Sequence, residues 1–353
     1  MAQQKPVRLG IIGTGGMANT HATQYKAIPG VTLVAACDID DARAKAFCEK
    51  HGIPRPFTDA AELLRQGDLD GVSIVTPDAS HKDLSILAVK AGKHVLCEKP
   101  LALTAADAKA MAAAAKKAGV VNMVNFSYRN WPVLEAAAAR VAKGDLGELR
   151  HVEASYLQSW LASKAWGDWR TSDKWLWRLS TRHGSKGALG DVGVHIFDFA
   201  TLPAGPIKTV DCKLKTFPKA KGNRIGAYRL DANDSAMALV EFENGALGEI
   251  HTTRFCPGHA NRLFLRLSGT KGSLEIDSAL STTVYKICVG KNLDTNAWEE
   301  VTAPPVAMTY ARFVEAIRKG KGGTPDFARG AQVQAMLDGC FASAKAGKSV
   351  RVK

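Results

Sequence analysis

The chain has 353 residues, of which 46% are hydrophobic, and a formal net charge of +13. This length exceeds one ordinary core and predicts two domains. No apolar run approaches the ~20 residues that span a bilayer, so we expect no membrane segment. The basic residues are dispersed, apart from clusters such as 213–221, and no nucleic-acid motif accompanies them. We therefore expect no nucleic-acid partner and keep an anionic substrate as an alternative.

The seven cysteines are scattered along the chain, and no two of them form a C-x-x-C pair. An odd, scattered set predicts free thiols, no structural metal site and a cytoplasmic location. The first residues lead into a strand without an apolar stretch that ends in a cleavage site, so we expect no secretory signal.

Apolar strands alternate with helices in the first part of the chain. Strands are predicted over 7–12, 31–37, 72–76, 95–97 and 121–124, and helices over 17–27, 41–50, 59–65, 80–91 and 104–118. This alternation is typical of a parallel sheet that is covered on both faces. We assign residues 1–125 to a nucleotide-binding domain of this α/β class.

The pattern changes after residue 125. A helix is predicted over 132–143, alternating strands over 149–157, 210–217, 236–242, 247–253, 262–268 and 273–277, and further helices over 310–319 and 329–346. Polar and apolar residues alternate along these strands, which predicts a large open antiparallel sheet with one buried face. Residues 126–353 are the expected second α/β domain, whose C-terminal helix packs back on the first.

A glycine-rich turn follows the first strand and fits the pattern G-x-G-x-x-A. Its predicted cofactor-binding residues are Gly13, Thr14, Gly15, Gly16 and Met17. Glycines allow a tight turn and a close approach to a pyrophosphate at the helix N-terminus. Asp38 ends the second strand, where an acid binds the ribose hydroxyls and repels a 2′-phosphate. We therefore predict NAD rather than NADP, with Asp40 adding to the repulsion if it lies nearby.

Lys99 lies at the carboxyl end of another predicted strand, in Glu98-Lys99-Pro100. Ligands of open parallel sheets bind outside the carboxyl ends of the strands, so Lys99 and the glycine-rich turn are predicted to face one ligand. The third strand closes with Thr76 and Pro77, and His81 follows them. These residues are either a wall beside the cofactor or simply a helix N-terminal turn.

Asp191 and His195 follow a group of glycines and are four residues apart. On a regular helix both side chains project from one face, where a carboxylate and an imidazole suit proton transfer from an alcohol. Taken singly, Asp191 could be a helix cap and His195 a core histidine. Five tryptophans occur between residues 160 and 177, and we expect core or interface positions for most of them, with Trp177 as the exception.

Further motifs follow in order: Tyr128-Arg129 before Pro132, Gly144-Asp145-Leu146-Gly147-Glu148, Trp177-Arg178, and Gly190-Asp191-Val192-Gly193-Val194-His195 with Asp198. Together with the glycine-rich turn, Thr76-Pro77 with His81, and Glu98-Lys99-Pro100, they make the chain resemble the Gfo/Idh/MocA family. The resemblance implies a Rossmann domain, an open sheet that mediates homodimers or homotetramers, and NAD(P)-dependent oxidation of a sugar, cyclitol or sugar-derivative hydroxyl.

The resemblance also implies roles for individual residues. Lys99, Asp191 and His195 correspond to the catalytic residues. Trp177 and Arg178 match a pair that contacts nicotinamide or substrate. We add Thr76, Pro77, His81, Glu98, Lys99 and Arg178 to the cofactor site, and Lys99, Tyr128, Arg129, Trp177, Asp191 and His195 to the substrate site. Where many members have three glycines, this chain has Gly184-Ser185-Lys186-Gly187-Ala188-Leu189, and Lys186 is a candidate contact for a polar or anionic substrate group.

The predicted mechanism has His195 as the base and Lys99 as the cation that stabilises the alkoxide, while Asp191 orients His195 or a substrate hydroxyl. Lys99 as the base is an open alternative. Two other functions are considered: an NAD-dependent glycosidase or lyase that oxidises a hydroxyl transiently, and a non-catalytic regulator that senses a dinucleotide. The retention of Lys99, Asp191 and His195 argues against the regulator.

Overall fold

The structure is a computed structural model that describes residues 5–66 and 68–353. The chain forms two compact units. The N-terminal unit comprises the residues up to Ser127 together with Ala307–Gln334, and the second unit comprises Tyr128–Val306 and Ala335–Lys353. Over the described residues, no helix combines the length and the apolar character needed to cross a membrane.

The N-terminal unit contains a six-stranded parallel sheet. Its strands are β1 (Val7–Ile12), β2 (Val31–Cys37), β3 (Pro56–Phe57), β4 (Gly71–Ile74), β5 (His94–Cys97) and β6 (Asn122–Val124). Its first five helices are α1 (Gly16–Lys26), α2 (Asp41–His51), α3 (Ala60–Gln66), α4 (His81–Lys90) and α5 (Ala105–Ala118). The order β3-β2-β1-β4-β5-β6 is that of a Rossmann fold, as predicted.

The second unit contains a nine-stranded sheet in the order β16-β15-β14-β13-β7-β12-β11-β8-β17. Its strands are β7 (Leu149–Gln158), β8 (Ile207–Lys215), β11 (Ser235–Phe242), β12 (Leu247–Thr253), β13 (Asn261–Gly269), β14 (Gly272–Asp277), β15 (Val284–Val289), β16 (Glu299–Thr302) and β17 (Val350–Arg351); β9 (Arg224–Ile225) and β10 (Tyr228–Arg229) pair separately. Its helices include α6 (Pro132–Lys143), α7 (Asp173–Leu176) and α8 (Val194–Ala204).

This sheet is mixed rather than purely antiparallel. The pair β7 and β12 is parallel, and the other pairs are antiparallel. Parallel neighbours need a long connection, and almost ninety residues separate these two strands, so the pairing is topologically allowed. Helix α8 packs against the sheet on β7, β12 and β13.

Residues 307–334 cluster with the N-terminal unit, which differs from the predicted division at residue 125. Helix α9 (Thr309–Lys319) buries Phe313, Val314 and Ile317 in one core with Val7 and Leu9 of β1. The apolar face of α9 therefore explains why this helix belongs to the N-terminal unit rather than to the predicted second domain. Helix α10 (Phe327–Ala346) starts in the N-terminal unit, and from Ala335 onward its residues belong to the second unit.

Candidate functional site

The glycine-rich turn has the shape that a dinucleotide pyrophosphate requires. Gly13 has φ +93°, and a Cβ there would lie 2.7 Å from the carbonyl carbon of Val75, so the position is restricted to glycine. A Cβ at Gly15 or Gly16 would meet open space. Helix α1 starts at Gly16, and no described side chain caps it. Its first N–H groups are thus available to phosphate oxygens, and these residues fit the group.

Asp38 lies at the end of β2 with both carboxylate oxygens engaged. Thr14 donates to Oδ2 from its backbone N (3.0 Å) and its hydroxyl (2.8 Å), and the Asp40 backbone N and the Arg43 guanidinium donate to Oδ1 (3.1 and 2.8 Å). Burial alone would raise the pKa of Asp38, but these hydrogen bonds and the Arg43 charge lower it. Arg43 is a neighbour that the sequence analysis missed, although it lies in the first turn of α2, only five residues after Asp38.

Glu98 belongs to a buried polar network that reaches from α1 to Lys99. Its Oε1 accepts from His21 Nε2 (2.9 Å) and from Asn125 Nδ2 (2.6 Å), and its Oε2 accepts from the backbone N of Lys99 (3.2 Å). Asn125 also donates to the hydroxyl of Tyr310 (3.2 Å). Burial alone would raise the pKa of Glu98, but the His21 and Asn125 hydrogen bonds and nearby positive charge lower it to about 2.

Glu98 was predicted to contact the cofactor, which stays a prediction, and its carboxylate joins other parts of the protein. Through His21 it is tied to the helix that starts at the glycine-rich turn, and through the Lys99 backbone to the end of β5. The network therefore fixes Lys99 and the dinucleotide turn to the same edge of one sheet.

His81 is fully buried and joins two segments of that edge. Its Nδ1 donates to the carbonyl of Pro100 (2.8 Å), and its Nε2 to the carbonyl of Thr76 (2.9 Å). Carbonyl oxygens only accept, so both nitrogens carry protons and the ring is cationic. Burial alone would lower the pKa of His81, but Cys97, Asp78 and the Pro100 carbonyl raise it to about 10. His81 therefore joins the Thr76 and Pro100 segments, and its predicted place beside the cofactor stays a prediction.

Asp191 lies in a π-helical turn, Leu189–Gly193, which leads directly into α8. The predicted regular helical spacing to His195 is thus altered by a wider turn, a feature that is frequent at functional sites. The Asp191 side chain is one-third exposed. Its Oδ2 accepts from the Arg254 guanidinium (2.9 Å) and lies 3.9 Å from Nε of Arg178.

His195, on α8, is surrounded by tyrosines. The ring of Tyr128 packs edge-on against the imidazole at 4.8 Å, and the ring of Tyr156 lies at 6.4 Å. The two tyrosine hydroxyls are 2.5 Å apart, and the Asn261 amide holds both, at 2.5 and 3.1 Å. Burial and the neighbouring Tyr128 and Asp191 raise the pKa of Tyr156 well above its usual value. This tyrosine pair orients the imidazole.

Arg129 was predicted to contact the substrate, and that contact stays a prediction. Its guanidinium is buried and donates two hydrogen bonds of 2.7 Å to Asp198 of α8. Burial alone would lower the pKa of Arg129, but Asp198 raises it. A bidentate, buried pair of this kind anchors α8, the helix that carries His195.

The five tryptophans between residues 160 and 177 differ in their exposure to solvent. Trp160 and Trp169 are buried, and Trp177 is 38% exposed, with the Arg178 guanidinium 4.6 Å from its ring centre. Trp166 is also partly exposed and stacks on Trp175.

Lys186 is exposed, and its ammonium lies 5.9 Å from the ring centre of Phe341. The proposed contact of Lys186 with a substrate stays a prediction.

These features define a class: a dinucleotide-dependent oxidoreductase. In the part of the chain that the structure describes, no three His, Cys, Asp or Glu side chains are arranged to hold a metal ion. Residues 7–126 match the family model described as "Oxidoreductase family, NAD-binding Rossmann fold", and residues 134–275 match the "GFO/IDH/MocA C-terminal domain". The chain belongs to the Gfo/Idh/MocA family, and its cofactor is NAD.

Known relatives align over nearly the whole chain. Levoglucosan dehydrogenase of Pseudarthrobacter phenanthrenivorans is 28% identical over 97% of both proteins. A solved levoglucosan dehydrogenase in complex with NADH has a TM-score of 0.88 at 26% identity, over 99% of this chain and 100% of that one. D-apiose dehydrogenase of Paraburkholderia graminis is 26% identical over 97% of this chain and 89% of its own length. An oxidoreductase domain protein from Kribbella flavida is 32% identical, with a TM-score of 0.87 over 99% and 100% of the two chains.

Proposed function

We propose that this protein catalyses the reversible NAD-dependent oxidation of a hydroxyl group on a sugar, cyclitol or sugar derivative, with Lys99, Asp191 and His195 as the catalytic residues. The observation that carries the proposal is the Glu98 network. Lys99 follows Glu98 at the end of β5, and Glu98 accepts from His21 of the helix that starts at the dinucleotide turn, which supports a place for Lys99 as the cation that stabilises the alkoxide.

Each catalytic residue has a distinct task in this proposal. Bound NAD⁺ supplies the acceptor for the hydride. His195 takes the proton of the substrate hydroxyl as a general base. Lys99 donates a hydrogen bond to the same oxygen and stabilises the alkoxide charge that develops. Asp191 accepts a hydrogen bond from a neighbouring substrate hydroxyl and thereby orients the reacting carbon.

The choice of base is testable with His195→Ala. If His195 is the base, external imidazole restores part of the lost turnover, and one limb of the pH–rate profile disappears. An unchanged profile would assign the base to Lys99 instead.

The substrate class is supported by the relatives. Two of them are named for carbohydrate substrates, levoglucosan and D-apiose, and levoglucosan dehydrogenase has been solved with levoglucosan and with L-sorbose. The partly exposed rings of Trp166 and Trp177 offer flat apolar surfaces of the kind that pack on sugar rings.

The experiment is a screen for NAD⁺ reduction over anhydrosugars, aldoses, ketoses, cyclitols and glycosides at several pH values. We expect NADH production with at least one free carbohydrate. Release of an aglycone without net NADH would replace the proposal by a glycosidase or lyase. NAD(H) binding without turnover across the whole panel would replace it by a sensing protein.

We also propose that the protein works in the cytoplasm as a homodimer or homotetramer joined through the open sheet face. The free cysteines suit a reducing compartment. Met237, Leu239 and Leu247 lie on one face of β11 and β12 and are 60%, 65% and 61% exposed. A cluster of exposed apolar side chains is typical of an interface. Light scattering should give a dimeric or tetrameric mass, and a monomeric mass would refute this assembly.

A further inference from the structure

Arg254 is a fully buried arginine that directly follows β12. Its backbone is fixed on both sides, because its N donates to the Asp234 carbonyl (3.0 Å) and its carbonyl accepts from the Leu161 N (3.3 Å). Its guanidinium lies 5.0 Å from the ring centre of Trp160. An arginine without solvent access is rare and needs partners for its donors.

Those partners belong to three segments that the proposed site uses. Nη2 donates to Oδ2 of Asp191 (2.9 Å) and, at longer distance, to the Gly187 carbonyl (3.4 Å). Nη1 donates to the carbonyl of Arg178 (3.1 Å). One guanidinium therefore connects the Trp177-Arg178 segment, the glycine turn before the π-helical turn, and the Asp191 carboxylate.

We propose that Arg254 is a positioning residue for the reaction. It donates a hydrogen bond to Oδ2 of the partly exposed Asp191 carboxylate, and it fixes the Arg178 backbone to the same guanidinium. This inference rests on the proposed function, because it takes Asp191 as the residue that contacts the substrate.

Geometry favours this role over a purely structural one. The buried Asp234 also contributes to the electrostatics of Arg254, but its ion pair is with Lys219, whereas the guanidinium of Arg254 donates to Asp191. Arg254 is completely buried, whereas its carboxylate partner is one-third exposed. Burying the cation costs desolvation energy, and the pKa of Arg254 is lowered by that burial. Such a cost is expected where a carboxylate must keep one orientation.

The test is a double-mutant cycle on kcat/KM with Asp191→Asn and Arg254→Met. We expect Asp191→Asn to lower kcat/KM about 100-fold and Arg254→Met about 10- to 100-fold, while the double variant loses no more than Asp191→Asn alone. If Arg254 acts independently of Asp191, the two losses multiply, and the inference is wrong.

The conservative variant Arg254→Lys gives a second readout. Lysine keeps the charge but cannot span three acceptors with a planar fork, so we expect it to recover part of the loss seen with methionine. If Arg254→Met does not fold, the cycle is run with Arg254→Lys and Asp191→Asn, and again multiplying losses overturn the inference. Wild-type kcat/KM in Arg254→Lys would also overturn it, because the fork would then be unnecessary.

Arg262→Met is the matched control. Arg262 forms a bidentate pair with Asp277 on the same sheet (2.8 and 2.5 Å) and, among the residues that the structure describes, donates to none of Asp191, Arg178 and Gly187. We expect little change in kcat/KM there, and NADH binding unchanged in every variant. Should Asp191→Asn itself keep wild-type activity, the assignment of Asp191 in the proposed function fails. If Asp191→Asn does lower activity but its loss multiplies with that of Arg254→Met, only the role of Arg254 is refuted.

Discussion

Two carboxylates of this protein, Glu98 and Asp191, are held in opposite ways. Glu98 is buried, and both of its oxygens accept hydrogen bonds from the N-terminal unit. Asp191 is partly exposed, and a buried arginine holds it from the protein side. A buried carboxylate that accepts from protein donors stabilises the scaffold, whereas a carboxylate that is partly exposed can also contact a ligand. The sequence predicted both residues as part of the site.

The largest effect is expected where a buried pair is broken. Arg129→Met leaves Asp198 buried without its bidentate partner, and we expect the free energy of unfolding to fall by about 3–5 kcal/mol. The double variant Arg129→Met/Asp198→Leu removes both charges and should recover most of that loss. Chemical denaturation measures both.

The same double variant tests whether Arg129 only stabilises the fold or also takes part in the substrate site. If Arg129 only anchors α8, the folded double variant keeps near wild-type kcat/KM. A loss of turnover in a stable double variant would support the predicted place of Arg129 in the substrate site.

A smaller effect is expected for Glu98→Gln. The pKa of Glu98 is lowered to about 2, so its ionised form stabilises the folded protein above its ordinary value of 4.5, and this contribution is lost as the pH falls from there towards 2. The shift corresponds to about 3 kcal/mol at neutral pH. Denaturation at pH 7 should show a loss of that order, and the difference from wild type should shrink below about pH 4.5.

The exposed Glu49, on α2, provides the control for this measurement. Glu49→Gln should change stability by less than about 0.5 kcal/mol at any pH. A Glu98→Gln variant that matched this control would show that the network does not hold Lys99.

The smallest effect concerns Asp38, whose carboxylate accepts from Thr14, Asp40 and Arg43 at the end of β2. Asp38→Ser removes the charge that repels a 2′-phosphate and leaves Arg43 beside the site. We expect the NAD⁺ to NADP⁺ ratio of kcat/KM to fall about 10- to 100-fold, and less for Asp40→Asn. An unchanged ratio in Asp38→Ser would remove Asp38 from cofactor selection.

The sequence predicted the elements that local residue patterns determine, namely the strands of the Rossmann sheet and the glycine-rich turn. The apolar strands of the Rossmann sheet are continuous runs, and Gly13 belongs to a turn with a local glycine pattern, although the contact that excludes a side chain there comes from Val75. Arg254 could not be found in this way, because Asp191 lies 63 residues earlier in the chain and no period connects them. The same holds for α9, whose apolar face indicates burial but not the unit in which it is buried. The π-helical turn at Asp191 leaves no signal in the regular spacing.

The most direct test of the account is Lys99→Ala, assayed with the carbohydrate that the screen identifies. We predict that kcat falls at least ~100-fold while NADH binding is retained, because the Glu98 network and the dinucleotide turn stay intact. Lys90→Ala, an exposed position on α4, should leave both quantities unchanged. Near wild-type turnover of Lys99→Ala on that substrate would contradict the account.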